Sequence, residues 1–426
     1  MKAIIPLTPS PSLRGRGEHA HEYNFNIEGR NRTGTAWRWV FQASTIVGIL
    51  ALIALLFNIM NGSFGYVAYE AKVDPATLAQ DGIPLEEQSR EQLVALLQSK
   101  LSKGAFNKLE TDEPFEKRSR ANVLQVVNER IVKYEIVQVW DLWASLTKSA
   151  KIKATVEKDF PGAELEFISW LTTDFITRPQ SSEAITTGVR TAILGSLWTI
   201  LFTILFAFPI GVGAAIYLEE YATDNRLNRI IRTNINNLAG VPSIVYGILG
   251  LAIFVRTLEP LTSGEIFGLV DPTTANGRTV LAAGLTLGLL VLPIIIINAQ
   301  EAIRAVPQSL RKASYGLGAT RWQTIWSHVL PNALPGILTG TILAISRAIG
   351  ETAPLVVVGA STAISFDPAS PFSKFTTLPI QIYQWTSRPQ PEFRSVAAAT
   401  ILVLLMMLLS LNASAVILRN RFSKRY

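Results

Sequence analysis

The chain of 426 residues contains no cysteine and only three histidines. The absence of cysteine excludes a disulfide framework, a thiolate metal site and thiol catalysis. His19 and His21 lie in a polar N-terminal stretch, and two histidines fall short of the three or four ligands that a zinc site needs. A Gly-x-x-x-x-Gly-Lys-Ser/Thr phosphate loop is also missing, so we expect neither a bound metal nor nucleotide binding of the Walker type.

Charged residues make up only 17% of the chain, whereas 49% of it is hydrophobic. The apolar residues are concentrated in segments of about 20 residues, the length that a helix needs to cross a bilayer core of about 30 Å. The six segments are Val40–Met60, Ala192–Leu218, Leu238–Val255, Val280–Ile297, Ile337–Ala360 and Val396–Leu418. The sequence therefore predicts an all-α polytopic membrane protein with six transmembrane helices.

The net charge of +7 follows the predicted membrane topology and does not indicate nucleic-acid binding. Basic residues cluster before the first span, between spans two and three, between spans four and five, and after the sixth. Positively charged loops remain in the cytoplasm, so we expect both termini to be cytoplasmic. The predicted regions are a tail over 1–36, a first transmembrane helix over 37–61, an extracytoplasmic insert over 62–183, a core over 184–418 that holds helices two to six, and a tail over 419–426.

The insert contains two candidate amphipathic helices. One follows Pro84, carries four leucines and ends at Gly104. The other extends from Arg120 to Leu146, with apolar residues near helical spacing,. These patterns predict a small helical domain with a structural or docking role.

The fifth span carries ionisable residues near the middle of the bilayer. Arg347 lies roughly 18 Å along the helix from Pro335,, where a charge costs at least about 2.5–3.5 kcal/mol and should face the bundle interior or a polar path. Glu351 lies one turn later and can pair with Arg347. An arginine suits an oxyanion because its planar fork binds two oxygens; a purely structural ion pair is the alternative.

Helix-breaking residues accompany polar side chains in the third and fifth spans. Pro354 removes the hydrogen bond to the carbonyl of Gly350, which frees Thr352 to line a cavity. In the third span, Pro242 loosens the helix beside Ser243. Broken helices at membrane depth line transport paths, although packing of small residues between helices is the alternative.

A basic, amphipathic segment lies between the fourth and fifth spans, within a loop over 299–334. The stretch KASYGLGATRWQTIWSHVLP at 312–331 resembles the EAA loop of ABC-importer permeases, although Lys312 and His328 depart from that pattern. By this resemblance the loop forms a coupling helix that docks into a groove on an ATPase subunit. The residues assigned to coupling are Ala313, Ser314, Gly318, Ala319, Leu330 and Pro331.

Three further stretches resemble one family, the A-type permease subunits (PstA) of phosphate-specific ABC importers. They are VPSIVYGILGL at 241–251, LPIIIINAQEAIRAVPQSLRKASYGLGATRWQTI at 292–325 and LAISRAIGETAPLVVVG at 343–359. The resemblance implies the type I importer permease fold in a bacterial inner membrane. It also implies a PstC-like second permease, two PstB-like ATPases that bind ATP and Mg²⁺, and a PstS-like phosphate-binding protein. This chain would then be no enzyme, would bind no cofactor, and would contact phosphate through Arg347, Glu351, Thr352 and Ser243.

Three alternatives remain at this point. The substrate can be another oxyanion, such as sulfate or molybdate. An ion-coupled secondary transporter would usually have about twelve spans and further membrane carboxylates. A membrane-anchored sensor or scaffold built around the insert would leave the segment at 312–331 unexplained.

The alternation of basic loops yields a first testable prediction. Reporter fusions at Ser102 and Ser309 should give opposite sidedness, because one residue lies in the insert and the other in a basic loop,. An alkaline phosphatase and fluorescent-protein pair measures this directly, and the same sidedness at both positions would contradict the six-span topology.

Overall fold

The computed structural model describes residues 27–79, 82–112, 114–269, 277–360, 364 and 367–422. The chain divides into two units, residues 1–56 and residues 57–426. Residues 1–26 of the predicted N-terminal tail and residues 423–426 of the C-terminal tail lie outside the described residues.

The protein is mostly helical. The helices are α1 (Ile27–Ser63), α2 (Arg90–Lys100), α3 (Lys103–Asp112), α4 (Arg120–Val127), α5 (Leu142–Thr147), α6 (Ser149–Asp159), α7 (Thr173–Thr177), α8 (Arg190–Ile216), α9 (Arg226–Ala239), α10 (Ser243–Gly250), α11 (Glu259–Thr262), α12 (Val280–Arg304), α13 (Gln308–Gly316), α14 (Arg321–Thr324), α15 (Leu330–Gly350), α16 (Ala353–Val358), α17 (Leu378–Thr386) and α18 (Glu392–Phe422). The strands are β1 (Phe64–Ala71), β2 (Tyr134–Val139) and β3 (Glu164–Ser169).

Within the described residues, five helices are long and apolar enough to span a membrane, and a sixth span results if one bent pair is counted once. This confirms the prediction of a polytopic helical membrane protein. Helix α1 begins at Ile27, inside the segment predicted as a tail, and α18 extends to Phe422.

The third predicted span, Leu238–Val255, is interrupted at Pro242, the residue that the sequence singles out as a helix breaker. The chain bends by 106° between α9 and the segment Ser243–Thr257. Pro242 occupies the N-cap position of α10 in an extended conformation, and the residue before a proline avoids helical geometry. The hydroxyl of Tyr246 donates to the carbonyl of Leu238 at 2.7 Å across the bend, which fixes the angle.

The fifth predicted span, Ile337–Ala360, begins earlier and is interrupted. Helix α15 starts at Leu330 and ends at Gly350, and the short helix α16 follows after Glu351 and Thr352. Pro354 lies in the first turn of α16, where its missing N–H costs nothing,.

Helix α12 is the centre of the core. It packs most extensively against α8 and α15, and glycines allow the close approach to α8. A Cβ on Gly284 would lie 2.5 Å from the Cβ of Phe202, and one on Gly288 would lie 2.5 Å from the Phe206 ring. One hydrophobic cluster contains buried residues from each of α8, α10, α12, α15 and α16.

The insert is not purely helical, because it contains an antiparallel sheet in the order β2-β1-β3. The single helix predicted over Arg120–Leu146 is wrong. Helix α4 continues into a π-helical turn, Asn128–Val132, which ends at Lys133 with its φ of 54°, and β2 follows. The run Tyr134–Val139 contains β-branched and aromatic residues that suit a strand, and apolar spacing alone does not separate this pattern from a helix.

The first insert helix is also shorter than predicted. Helix α2 starts at a capping box formed by Ser89 and Gln92 and ends at Lys100. Gly104 lies inside the next helix, α3, and does not end α2. The buried leucines Leu93 and Leu97 pack with α4 in a separate small core.

Candidate functional site

Arg347 and Glu351 form an ion pair at the break between α15 and α16. The Arg347 Nε lies 3.3 Å from the Glu351 Oε1. The side chain of Arg347 is 46% exposed and that of Glu351 is 17% exposed. The guanidinium therefore lies on the surface of this chain and not within its core.

The break packs directly against α10. A Cβ on Gly247 would lie 2.7 Å from the Pro354 Cα, so only glycine permits this approach. Thr352 and Ser243 are both partly buried, at the N-cap of α16 and the first position of α10. The structure thus brings together the two interrupted spans that the sequence singles out separately.

The segment between α12 and α15 forms two short helices around a glycine turn. Gly318 has a φ of +83° with no heavy atom within 4 Å of a Cβ built there. The left-handed backbone, and not a lack of space, therefore requires glycine at this position. The hydroxyls of Ser314 and Thr324 are buried and lie 2.9 Å apart, which joins the two helices behind the turn.

The remaining residues assigned to coupling lie along the same segment. Ala313 is exposed on α13, and Ala319 is partly buried after the turn. Leu330 begins α15, and Pro331 lies in its first turn. Pro331 follows the π-helical turn Ile325–Val329, through which α14 continues into α15.

The outer face of this segment is strongly apolar, a feature that our reading of the sequence missed. Leu317, Trp322 and Trp326 are exposed, and the two indole rings are stacked with centroids 5.5 Å apart. An exposed apolar patch of this kind is typical of an interaction surface. The spacing of the two tryptophans by four residues was the available signal, because such residues share a helix face.

Helix α13 is fixed to the core by a buried ion pair between Arg311 and Glu220. The Arg311 Nη2 lies 2.7 Å from the Glu220 Oε1, and both side chains are 8% exposed. The guanidinium also donates to the carbonyls of Ile303, at 2.9 Å, and Val306, at 2.5 Å. A buried charge is tolerated only when it is paired and hydrogen-bonded, and both conditions are met here.

The preceding residue, Glu219, connects two other elements. Its carboxylate lies 2.9 Å from Arg232 of α9 and 3.0 Å from Arg304 of α12, and it accepts a hydrogen bond from Gln300 at 3.2 Å. Glu219 and Glu220 lie in a π-helical turn, Tyr217–Tyr221, that extends α8. Two adjacent carboxylates therefore hold α9, α12 and α13.

A concavity of about 360 Å³ lies at the insert, between β2, the 183–185 loop and the 390–392 loop. Lys72 and Glu183 are among its lining residues, and Lys72 forms an exposed ion pair with Glu135 at 3.0 Å. The pKa of Glu183 is raised, mainly by burial and then by the charge of Glu129. This concavity is lined by charges of both signs and does not select an anion.

Comparison with known proteins places these features in context. A family described as "Binding-protein-dependent transport system inner membrane component" matches residues 207–426. The chain is 32% identical over 262 residues to the probable ABC transporter permease protein YqgI of Bacillus subtilis, covering 58% of this chain and 83% of that protein. It is 34% identical over 239 residues to the phosphate transport system permease protein PstA 1 of Mycobacterium tuberculosis, covering 56% and 72%. It is 30% identical over 268 residues to PstA of Xylella fastidiosa, covering 62% and 84%.

The buried ion pair generates a prediction about stability. Arg311→Met leaves the Glu220 carboxylate buried without its charge partner, which costs about 3–5 kcal/mol. The thermal unfolding midpoint of the purified protein in detergent should fall markedly. The double variant Arg311→Met/Glu220→Met should recover much of the loss, because no buried charge is left unpaired.

Arg304→Met is the matched control. Its side chain is half exposed, and Glu219 keeps Arg232 as a partner, so the expected loss is about 1 kcal/mol or less. Equal losses in Arg311→Met and Arg304→Met would contradict the special role of the buried pair.

Proposed function

This chain belongs to the family of binding-protein-dependent transport system inner membrane components, and we propose that it is the PstA-type permease subunit of an ATP-driven importer for inorganic phosphate. The observation that carries the proposal is the similarity to phosphate permeases along most of their length, at 34% identity over 72% of one and 30% over 84% of another. The comparisons favour phosphate over sulfate or molybdate, and they do not favour an ion-coupled secondary transporter.

The exposed Arg347 supports a translocation path shared between two permease subunits. A half-exposed guanidinium at membrane depth is costly against lipid, whereas a second, PstC-like permease would enclose it in a polar path. In this arrangement Arg347 binds the phosphate oxyanion, Glu351 holds the guanidinium between transport events, and Thr352 and Ser243 donate hydroxyls. The low dielectric of such a path strengthens the attraction between the ions.

The segment around α13 and α14 is the proposed docking site for a PstB-like ATPase. Its exposed Leu317, Trp322 and Trp326 fit an amphipathic helix-in-groove contact,. ATP and Mg²⁺ belong to two copies of the partner ATPase, and this chain contributes no catalytic group. The ATPases are cytoplasmic, so both termini of this chain lie on the cytoplasmic side, and the insert lies outside with the PstS-like binding protein.

Reconstitution tests this function. The chain, co-expressed with a PstC-like permease and a PstB-like ATPase, should copurify with both and import radiolabelled phosphate into proteoliposomes only with ATP and the binding protein. Competition by excess unlabelled sulfate or molybdate should leave the uptake unchanged. Uptake driven by an ion gradient without ATP would contradict the proposal.

The proposed substrate contact predicts a graded series at Arg347. Arg347→Lys keeps the charge but loses the planar fork, so phosphate uptake should fall partially. Arg347→Gln loses a charged hydrogen bond of about 1.5–3 kcal/mol, so uptake should fall roughly tenfold or more. Initial uptake rates in proteoliposomes measure both.

Glu351→Gln is the companion variant, because it removes the counter-charge and leaves Arg347 in place. It should change the uptake rate without abolishing assembly. If Arg347→Gln assembles with its partners and imports phosphate at the normal rate, the ion pair is only structural.

The glycine turn predicts a defect in coupling. Gly318→Asp forces a side chain into the left-handed conformation, at a cost of roughly 1–2 kcal/mol, and adds a charge to the docking face. Membrane insertion should be unaffected, but ATP hydrolysis should no longer be linked to uptake. The number of ATP molecules hydrolysed per phosphate imported measures this.

Gly316→Asp is the matched control, because Gly316 is exposed, has room for a Cβ and lacks the positive φ. It adds the same charge without the backbone strain, so its defect should be smaller. Normal coupling in Gly318→Asp would contradict the docking role of this turn.

A further inference from the structure

Helix α9 is oriented differently from the spanning helices. Its 14 residues, Arg226–Ala239, meet the segment Ser243–Thr257 at 106°. Of α9, only Leu238 and Ala239 lie within the predicted third span, Leu238–Val255, and the rest of the helix precedes it. A helix nearly perpendicular to a spanning segment lies close to the plane of the membrane.

This orientation is fixed by contacts along the length of α9. The Asn228 side chain donates to the carbonyl of Thr223 at 2.9 Å near the start of the helix. Arg232 pairs with Glu219 at 2.9 Å in its middle. At the end, the Leu238 carbonyl accepts the Tyr246 hydroxyl. Helix α9 is therefore part of the core framework and not a loosely attached loop.

The inner face of α9 packs on the protein, against α12 among other elements. Its members are buried or partly buried and recur at helical spacing: Asn228, Ile231, Arg232, Ile235 and Ala239. At about 100° of rotation per residue, these side chains form one sector of the helix. Around the helix axis, the exposed side chains on the two flanks of this sector differ in polarity.

One flank of the inner face is apolar and exposed. Leu227, Ile230 and Leu238 are 65%, 58% and 45% exposed, and the helical rotation groups them on one side, with Asn234 among them. The apolar exposed surface resumes after the bend at Ile244 on α10. We call Leu227, Ile230 and Leu238 the apolar stripe.

The opposite flank is polar. Arg229, Thr233 and Asn236 are exposed there, and Arg226 lies between this flank and the apolar stripe. An in-plane helix with one apolar flank and one polar flank is the arrangement of an interfacial amphipathic helix. A helix that was wholly in water would gain nothing from the apolar stripe.

The charges of α9 complement a lipid surface. Arg226 and Arg229 lie in the first turn, where a cation opposes the helix dipole. The pair between Arg229 and Asp224, at 3.2 Å, is highly exposed on both sides and is worth about 1 kcal/mol or less. Phosphates of anionic headgroups are the counter-charges present at the boundary between lipid and water.

We propose that α9 is an interfacial helix, with the apolar stripe at the boundary between headgroups and acyl chains and with Arg226 and Arg229 in contact with anionic lipid headgroups. This contact surface is independent of the transported substrate. The proposal rests on the bend between α9 and α10, on the contacts that hold α9 in place, and on the separation of its exposed face into an apolar and a polar flank.

The absence of cysteine makes the test direct, since each introduced cysteine is unique in this chain. Spin labels are attached to Leu227→Cys and Ile230→Cys on the apolar stripe and to Thr233→Cys and Asn236→Cys on the polar flank. The assembled complex is studied in phosphatidylglycerol–phosphatidylcholine vesicles, and the complex with the unmodified chain gives the background from partner cysteines. Stripe labels should be accessible to oxygen and protected from a water-soluble nickel chelate, and labels on the polar flank should show the reverse.

Two results would overturn the proposal. Stripe labels that are inaccessible to both reagents would show that a protein partner covers the surface, and stripe labels open to the nickel chelate would place it in water. Vesicles of phosphatidylcholine alone, which lack anionic headgroups, test the two arginines. With both arginines present, the Ile230→Cys label should be less protected from the nickel chelate in these vesicles than in those with phosphatidylglycerol. In the Arg226→Gln/Arg229→Gln background, its protection should be the same in both kinds of vesicle. Equal protection in both lipids with the arginines present would overturn the headgroup contact.

Discussion

Two adjacent carboxylates, Glu219 and Glu220, organise the end of the bundle from which α9 and α13 extend. Glu219 pairs with Arg232 of α9 and Arg304 of α12, while Glu220 pairs with the buried Arg311 of α13. Charges at such depth are stable only with partners in place. The register of α13 relative to α8 is therefore held most strictly, because a shift would leave the buried Glu220 and Arg311 unpaired, whereas Glu219 shares its charge between α9 and α12.

Helix α15 connects this end of the bundle to the interrupted spans. It begins directly after the segment proposed to dock the ATPase and ends at the break beside Arg347. Its 21 residues extend roughly 30 Å,, about the thickness of the bilayer core. In the proposed function, one continuous helix would transmit a displacement of the docking segment to the Arg347–Glu351 pair, and the close approach of Gly247 to Pro354 would pass it to α10.

Hydropathy predicted the spans well because lipid forces backbone groups to pair within each helix. It failed where two structures fit one pattern, as at Tyr134–Val139, whose pairing with β1 is set by residues more than sixty positions earlier. The charge in the fifth span singled out Arg347, and the resemblance singled out Gly318 and the proposed docking segment, but neither could reveal that Arg347 lies on the surface of the chain. The carboxylate pair was missed because its partners are 13 to 91 residues away.

Glu219 and Glu220 also connect α9 to the proposed docking segment. Arg232 belongs to α9, the helix proposed to lie at the interface, and Arg311 belongs to α13, the first helix of the proposed docking segment. Their acceptors are neighbouring residues of one π-helical turn, so both helices are anchored to the same turn. A docking helix that transmits force needs a support that does not move with it. The proposed lipid contact along α9 would provide that support, because displacing α9 from the interface would expose its apolar stripe to water.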